Sequence, residues 1–411
     1  MDFLIGNAVV GQSGGPTAAI NATLSGVIKG AFKAKEKGII NTIYGMKNGI
    51  EGLLEERLVN LGERFSDVNE LSVLEATPAA ALGSCRKKMK SIEDDRATYE
   101  KLFEIFKKYD IRYFFYIGGN DSMDTVLKLS QFMSSRDYEM RIIGVPKTVD
   151  NDLAATDHTP GFGSAAKFVA TTMKEIKRDV SVYTVKAVTI VEIMGRDAGW
   201  LTASSALPDL CGDGPDFVYL PEVAFDPEKF IFDVSAKMEE HPAVLVAVSE
   251  GIRLENGDYV GASESAVDAF GHKALSGAGK VLENLIKNRL GCKVRSIELN
   301  LPQRCAAHLA SYTDIRESVG VGRYAVKCAI NGKTAHMATI NRKDEAEYSV
   351  YYDSADISKI ANAVRGVPRS YINCEGNGIT KECLSYLAPL IVGEVSPIYE
   401  MGMPKHITFD I

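Results

Sequence analysis

Short apolar runs recur along this chain, and each stops at a loop rich in glycine or carboxylates. Leu4–Val10, Ile39–Tyr44, Ile111–Ile117, Arg141–Val145, Lys186–Ile193, Ala243–Ser249 and Val294–Leu299 read as strands. Between them, apolar residues switch to helical spacing, as in Ile20, Leu24, Val27, Ile28, Ala31 and Phe32. Leu102, Phe103, Ile105, Phe106 and Tyr109 line another helix face, and Val126–Met133, Ala165–Val180 and Gly277–Leu290 read as helices. Strand–loop–helix alternation predicts an α/β fold, with parallel-rich sheets covered by helices on both faces. With 411 residues the chain is long enough for two lobes.

Crossovers in such sheets are short and right-handed, so they gather the loops along one edge. Ligands bind there, at the carboxyl ends of the strands. Gly11-Gln12-Ser13-Gly14-Gly15-Pro16 lies between a strand and a helix. It is either a plain βα turn or a turn whose backbone N–H groups meet a phosphate. Gly118-Gly119-Asn120-Asp121-Ser122 has the same shape with an acid added. Asn120 or Asp121 can offer oxygen to Mg²⁺, or the segment is a glycine turn with an acidic helix cap.

The third loop, Pro146-Lys147-Thr148-Val149-Asp150-Asn151-Asp152, carries two carboxylates two residues apart. One can take a proton from an alcohol while the other orients it or a metal. A solvated Asx-rich turn is the alternative. Lys147 beside those acids suggests a polyanionic ligand, or else a surface ion pair. Arg86, Arg196, Arg295 and Arg304 place guanidinium groups near strand ends, suited to phosphate oxygens or to surface pairing. His308, four residues after Arg304, falls on the same helix face and is given no role.

Several partner classes are excluded. A net charge of −7 argues against nucleic acid or an anionic membrane. No apolar stretch reaches the ~20 residues that span a bilayer. Seven scattered cysteines without a C-x-x-C pair indicate free thiols and a cytoplasmic location. The Gly332-Lys333-Thr334 triplet has Lys327 where a nucleotide P-loop needs glycine, so it reads as a surface turn.

As an ordered set these segments resemble the phosphofructokinase family. They are Gly14-Gly15 with Asn21, Tyr44-Gly45, Gly83-Ser84-Cys85-Arg86, Gly118–Ser122, Pro146–Asp152, Met194-Gly195-Arg196, Glu250-Gly251 and Pro302-Gln303-Arg304. The resemblance implies a phosphofructokinase-like fold of two Rossmann-like lobes, with the active site in the cleft between them. It implies phosphoryl transfer to the 1-hydroxyl of fructose 6-phosphate. Asp150 matches the family's catalytic base, Asp152 supports it, and Thr148 contacts the transferring group. Met194, Gly195, Arg196 and Glu250 match sugar contacts; Arg295 and Arg304 match sugar-phosphate contacts. Gly14, Gly15 and Arg86 match the donor side. One sugar-site arginine of the family comes from a neighbouring subunit, so a homodimer or homotetramer is implied.

Two departures bear on the donor. ATP-using relatives carry Gly-Gly-Asp-Gly at the first acidic loop and glycine before the threonine of the second. This chain has Asn120-Asp121 and Lys147, and is similar there to the pyrophosphate-dependent branch. A carboxylate at 121 would repel a nucleotide α-phosphate, and Lys147 can neutralise the leaving phosphate. The donor read from the sequence is therefore Mg²⁺-pyrophosphate, held by Gly14, Gly15, Arg86, Asp121 and Lys147, with Asn120 and Asp121 as metal ligands. An ATP-dependent enzyme, a non-catalytic sugar-phosphate-binding subunit, and a lipid or NAD kinase are the rivals. The family's effector arginines correspond to Ser25 and Lys29, which argues against allosteric control. The expected organisation is a donor lobe of residues 1–161 and about 303–355, a sugar lobe of 162–302, and a C-terminal extension of about 356–411.

Overall fold

The computed structural model describes residues 3–67, 69–267, 273–275 and 277–409. Two open sheets dominate it. The larger has seven strands in the order β13-β12-β5-β4-β1-β2-β3. These are β1 (Gly6–Gln12), β2 (Ile40–Met46), β3 (Leu58–Asn60), β4 (Ile111–Gly118), β5 (Arg141–Pro146), β12 (His336–Arg342) and β13 (Val350–Asp356). Its interior pairs are parallel, and antiparallel β3 and β13 close its two edges. The smaller sheet is wholly parallel, in the order β11-β6-β8-β7. Its strands are β6 (Ala187–Ile193), β7 (Phe217–Tyr219), β8 (Ala243–Ser249) and β11 (Lys293–Glu298). A separate antiparallel pair joins β9 (Ala262–Val267) to β10 (Lys273–Leu275).

Central strands are buried on both faces, which is why they read as continuous apolar runs rather than as an alternation. All seven residues of β8 are buried, as is every residue of β4 except Arg112. The short or half-polar strands β3, β7, β12 and β13 give no such run, and the sequence pattern passes over them. The helix after β4 is longer than its apolar pattern: it starts at Asn120, not Val126, and ends at Ser134. Its first turns carry polar residues, Ser122, Asp124 and Thr125, that are buried all the same.

Helix α1 (Ile20–Glu36) packs along helix Tyr312–Ile330 on one face of the larger sheet. The close approach relies on glycine. A Cβ on Gly26 would stand 2.3 Å from the Val319 carbonyl oxygen, and one on Gly322 would stand 2.3 Å from that of Thr23. The C-terminal residues pack on both sheets' cores. Ile357 and Ile360 join the core of the larger sheet, whereas Val367, Cys383, Leu384 and Leu387 join that of the smaller. Ile407 and Phe409 return to the larger one. Among the described residues no helix is long and apolar enough to cross a membrane.

Candidate active site

The carboxyl ends of β1, β4, β5, β6 and β8 converge on one cleft of about 510 Å³. It is lined by Gly14, Gly15, Arg86, Asn120, Asp121, Lys147, Thr148, Asp150, Asp152, Met194, Arg196, Glu250 and Arg304. Residues nearly 300 positions apart thus share one wall, as the topology of an open parallel sheet requires.

The loop after β1 is shaped by its neighbours. Gly14 has φ +79, a left-handed conformation that favours glycine. Its N–H donates to the Cys85 carbonyl at 3.0 Å, which ties this loop to the one bearing Arg86. The Lys147 ammonium donates to the Gly15 carbonyl at 2.7 Å, and its own N–H donates to the Gly118 carbonyl at 3.0 Å. Lys147 therefore locks the three glycine and acid loops together. It is 3% exposed. Burial drives its pKa down to about 8, against the upward pull of Asp150 and Asp152.

Thr148 and Asp150 form a small polar turn. The Asp150 N–H donates to Thr148 Oγ1 at 3.1 Å, and that hydroxyl donates to Asp150 Oδ2 at 3.4 Å. Asn151, between the two carboxylates, is left-handed at φ 54, so Asp150 and Asp152 can both face the cleft. Burial raises the Asp150 carboxyl, with Lys147 opposing. Burial, and then the charge of Asp150, push Asp152 up to about 7. Two carboxylates with displaced proton affinities beside a buried cation are suited to moving a proton near neutral pH.

On the opposite wall, the loop after β6 carries Met194, Gly195 and Arg196. The Gly195 N–H donates to Glu250 Oε1 at 3.2 Å, and burial raises the Glu250 carboxyl. Gly195 sits at φ 139, and a Cβ there would meet the Ala198 carbonyl oxygen at 2.7 Å. Gln303, given no role by the sequence reading, accepts the Met194 N–H at 3.2 Å and fixes this loop to the short helix Pro302–Cys305. Arg304 on that helix reaches across the cleft: its Nη1 lies 3.4 Å from where a Gly15 Cβ would stand.

Two sequence expectations need correction. Arg295 is not at a strand end. It is the third residue of edge strand β11, opposite Thr189, and lines a separate shallow hollow with Tyr183 and Val185 rather than the cleft. His308 does not share a helix with Arg304, because the helix stops at Cys305 and His308 belongs to a separate turn, Ala307–Leu309. Lys88 was missed. It lines the cleft and pairs with Asp121 at 3.4 Å, and its only sequence signal was the basic run Arg86–Lys90.

The carboxylates of Asp121, Asp150 and Asp152 and the amide oxygen of Asn120 are hard donors suited to a divalent ion. Asn120 Oδ1 is buried and has no hydrogen-bond partner among the described residues, while Asn120 Nδ2 donates to Asp152 Oδ2 at 3.2 Å. Among the described residues no group of three or more His, Cys, Asp or Glu side chains forms a metal cage. The donor set fits an ion that arrives with phosphate oxygens filling most of its shell.

The family model described as Phosphofructokinase matches residues 7–329. A pyrophosphate–fructose 6-phosphate 1-phosphotransferase of Methylococcus capsulatus is 41% identical over 405 residues, 98% of this chain and 95% of that protein. A protein of the same name from Halomonas elongata is 42% identical over 402 residues, 97% of this chain and 95% of its own. The crystal structure of a pyrophosphate-dependent phosphofructokinase from Nitrosospira multiformis superposes with a TM-score of 0.87 at 39% identity, covering 98% of this chain and 96% of that one.

Proposed function

The chain belongs to the phosphofructokinase family, and we propose that it is the pyrophosphate-dependent enzyme, transferring a phosphoryl group from pyrophosphate to the 1-hydroxyl of fructose 6-phosphate. One observation carries the choice of donor: buried Lys147 and cleft-lining Asp121 flank the same recess that holds Asp150 and Asp152. A nucleotide α-phosphate there would meet the Asp121 carboxylate, which stands at the cleft mouth paired with Lys88 at 3.4 Å. Pyrophosphate instead presents its leaving phosphate to the Lys147 ammonium, which is already aimed into the loop of Gly14 and Gly15.

Asp150 removes the proton of the 1-hydroxyl as its oxygen attacks the near phosphorus of pyrophosphate. The bridging P–O bond breaks and inorganic phosphate leaves. Asp152 lies beside Asp150, and Thr148 orients Asp150 through its hydroxyl. Met194, Gly195, Arg196 and Glu250 hold the sugar, and Arg304 holds its phosphate from the wall opposite Arg86. Mg²⁺, when bound through Asn120 and Asp121, would neutralise the pyrophosphate oxygens. Positioning and charge neutralisation supply most of the rate. Donor and product are close in energy, so transfer runs in both directions.

Residues 6–146 and 336–356 build the sheet of the donor side, and residues 187–298 that of the sugar side, which supports a division into lobes near 161 and 303. The exposed edge strand β11, with Arg295 outside its own cleft and exposed Val182 and Val185 nearby, favours a homodimer or homotetramer in which a neighbouring copy supplies Arg295. Ser25 and Lys29 are both taken up by Glu75, which supports a non-allosteric enzyme. Seven free cysteines suit a cytoplasmic enzyme.

The test is turnover of purified protein with fructose 6-phosphate, Mg²⁺ and either pyrophosphate or ATP. Turnover with pyrophosphate well above that with ATP is expected. Equal or greater ATP turnover would reject the donor, and no turnover with either would favour a binding subunit. Asp150→Ala is expected to lower kcat ~10²–10⁴-fold with the sugar-phosphate KM little changed.

A further inference from the structure

Both carboxylates of the catalytic loop hang on a segment far away in sequence. The Arg365 N–H donates to the Asp152 carbonyl at 2.8 Å, and a bridge joins Leu153 to Val364. The Arg365 guanidinium then caps the rest of the loop. Its Nη2 donates to the Asn151 carbonyl at 3.2 Å; its Nη1 donates to the carbonyls of Thr156 at 2.9 Å and Asp157 at 2.6 Å. The guanidinium carbon of Arg365 lies over the Trp200 ring, 4.8 Å from its centroid, and the Trp200 indole N–H donates to the Arg365 carbonyl at 2.9 Å. Tyr386 completes the clamp: its hydroxyl accepts from Asn151 Nδ2 at 3.2 Å and donates to the Asp157 carbonyl at 2.6 Å.

Asn151 is the residue that needs holding. A left-handed φ of 54 is uncommon outside glycine and costs free energy unless its surroundings enforce it. Both its side chain and its carbonyl are bound by Tyr386 and Arg365. The same segment also reaches the sugar wall. The Val367 N–H and the Gly199 N–H both donate to Glu222 Oε1 at 2.8 Å, and Gly199 closes the loop that begins at Met194.

We propose that Arg365 and Tyr386 are positioning residues, which set the direction of the Asp150 carboxylate by enforcing the left-handed turn at Asn151. Neither touches the cleft. Their effect falls on the transition state, where a misplacement of the base by about 1 Å costs up to ~10²-fold in rate. The role rests on the proposed reaction for its chemistry but not for its donor, because a general base at Asp150 serves either one.

The experiment compares kcat, KM and Tm for wild type, Arg365→Ala, Arg365→Lys, Tyr386→Phe and Arg369→Ala. Arg369 is the internal control. It caps the carbonyls of Ile372, Asn373 and Cys374 on the same C-terminal stretch but does not touch the catalytic loop. Rates are taken with whichever donor, pyrophosphate or ATP, the wild-type protein uses, so failure of the donor assignment leaves this comparison intact. Arg365→Ala is expected to lose ~10–100-fold in kcat with the sugar-phosphate KM little changed. Arg365→Lys does not restore the rate, since an ammonium lacks the planar fork that spans three carbonyls. Tyr386→Phe, which deletes one oxygen, loses kcat by about tenfold, and it decides the matter if Arg365→Ala does not fold. Arg369→Ala lowers Tm and keeps kcat. If Tyr386→Phe and any folded Arg365 variant lower Tm while keeping wild-type kcat, the positioning role is overturned.

Discussion

Asn120 and Asp152 meet across the catalytic cleft, with the Asn120 amide donating to Asp152 Oδ2 at 3.2 Å. The contact joins the start of the helix after β4 to the loop after β5, so the two acidic loops share one polar bond. Asn120 brings a neutral amide to that contact. Asp152 already has its carboxyl lifted to about 7 by burial and by Asp150. Asn120→Asp replaces the hydrogen bond by a third carboxylate and raises the pair further. The acid limb of the kcat/KM profile is expected to move to higher pH by about one unit or more. An unmoved limb in a full pH–rate profile would break the link between these two residues.

Lys147 sets the alkaline side of the same profile. Burial brings it down to about 8, within reach of ordinary assay conditions. In the proposed reaction the ammonium form neutralises the leaving phosphate, so kcat/KM is expected to fall as pH rises through that value. In the proposed reaction the carboxylate pair must lose a proton, and burial has raised both acids, so kcat/KM is expected to rise with pH on the acid side as a property of the pair rather than of either acid. A narrow bell between these limbs is the expected shape. Lys147→Met removes the alkaline limb and costs ~10²–10³-fold in rate, the scale of one lost electrostatic contact to developing charge. A surviving alkaline limb near pH 8 would assign it to another group.

How far these features could be read in the sequence follows from what each one needs. The buried parallel strands β4, β5, β6 and β8 announce themselves, because burial on two faces forces continuous apolar runs. The loops of Gly14, Asn120, Lys147 and Met194 were legible because their chemistry is local and ordered along the chain. Gln303 and Lys88 act by meeting loops that are distant in sequence, and pairing of that kind leaves no local pattern. Arg295 was misplaced for the opposite reason: its apolar neighbours show a strand but not which strand edge is open. Arg365 and Tyr386 stand in the least periodic part of the chain, where the structure is held by side-chain caps on carbonyls rather than by helix or sheet repeats.

The crossing of helix α1 with helix Tyr312–Ile330 sets a steric limit that can be tested without touching the cleft. A methyl group at Gly26 would stand 2.3 Å from the Val319 carbonyl oxygen, well inside contact distance and against backbone. The helices must part, and the buried face between them, which includes Leu24, Val27, Val321 and Ala325, loses contact. Gly26→Ala is expected to cost about 1–3 kcal/mol, the range for overpacking a tight core. Denaturant unfolding should show an earlier midpoint, and the fructose 6-phosphate KM should stay close to wild type. A midpoint equal to wild type would mean the helices separate without cost.

A buried charge cluster beneath the catalytic loop makes stability depend on pH in a definite direction. His158 is 3% exposed, with Nδ1 at 2.8 Å from Asp157 and Nε2 at 2.6 Å from Glu317. Burial pushes its pKa down, but the two carboxylates outweigh burial and hold it up at about 9, above the ordinary 6.5. The folded state therefore binds this proton more tightly than the unfolded chain does. The resulting stability is present in full below about pH 6.5 and is lost as pH rises through about 9. His158→Gln keeps a donor for only one carboxylate and leaves a buried negative charge without its cation, at a cost of about 3–5 kcal/mol. Unfolding midpoints measured from pH 6 to pH 9.5 should decline for wild type across the upper part of that range. The variant should start lower and show a flatter profile there. Parallel slopes for the two proteins would show that the decline arises elsewhere and that His158 is neutral in the folded protein.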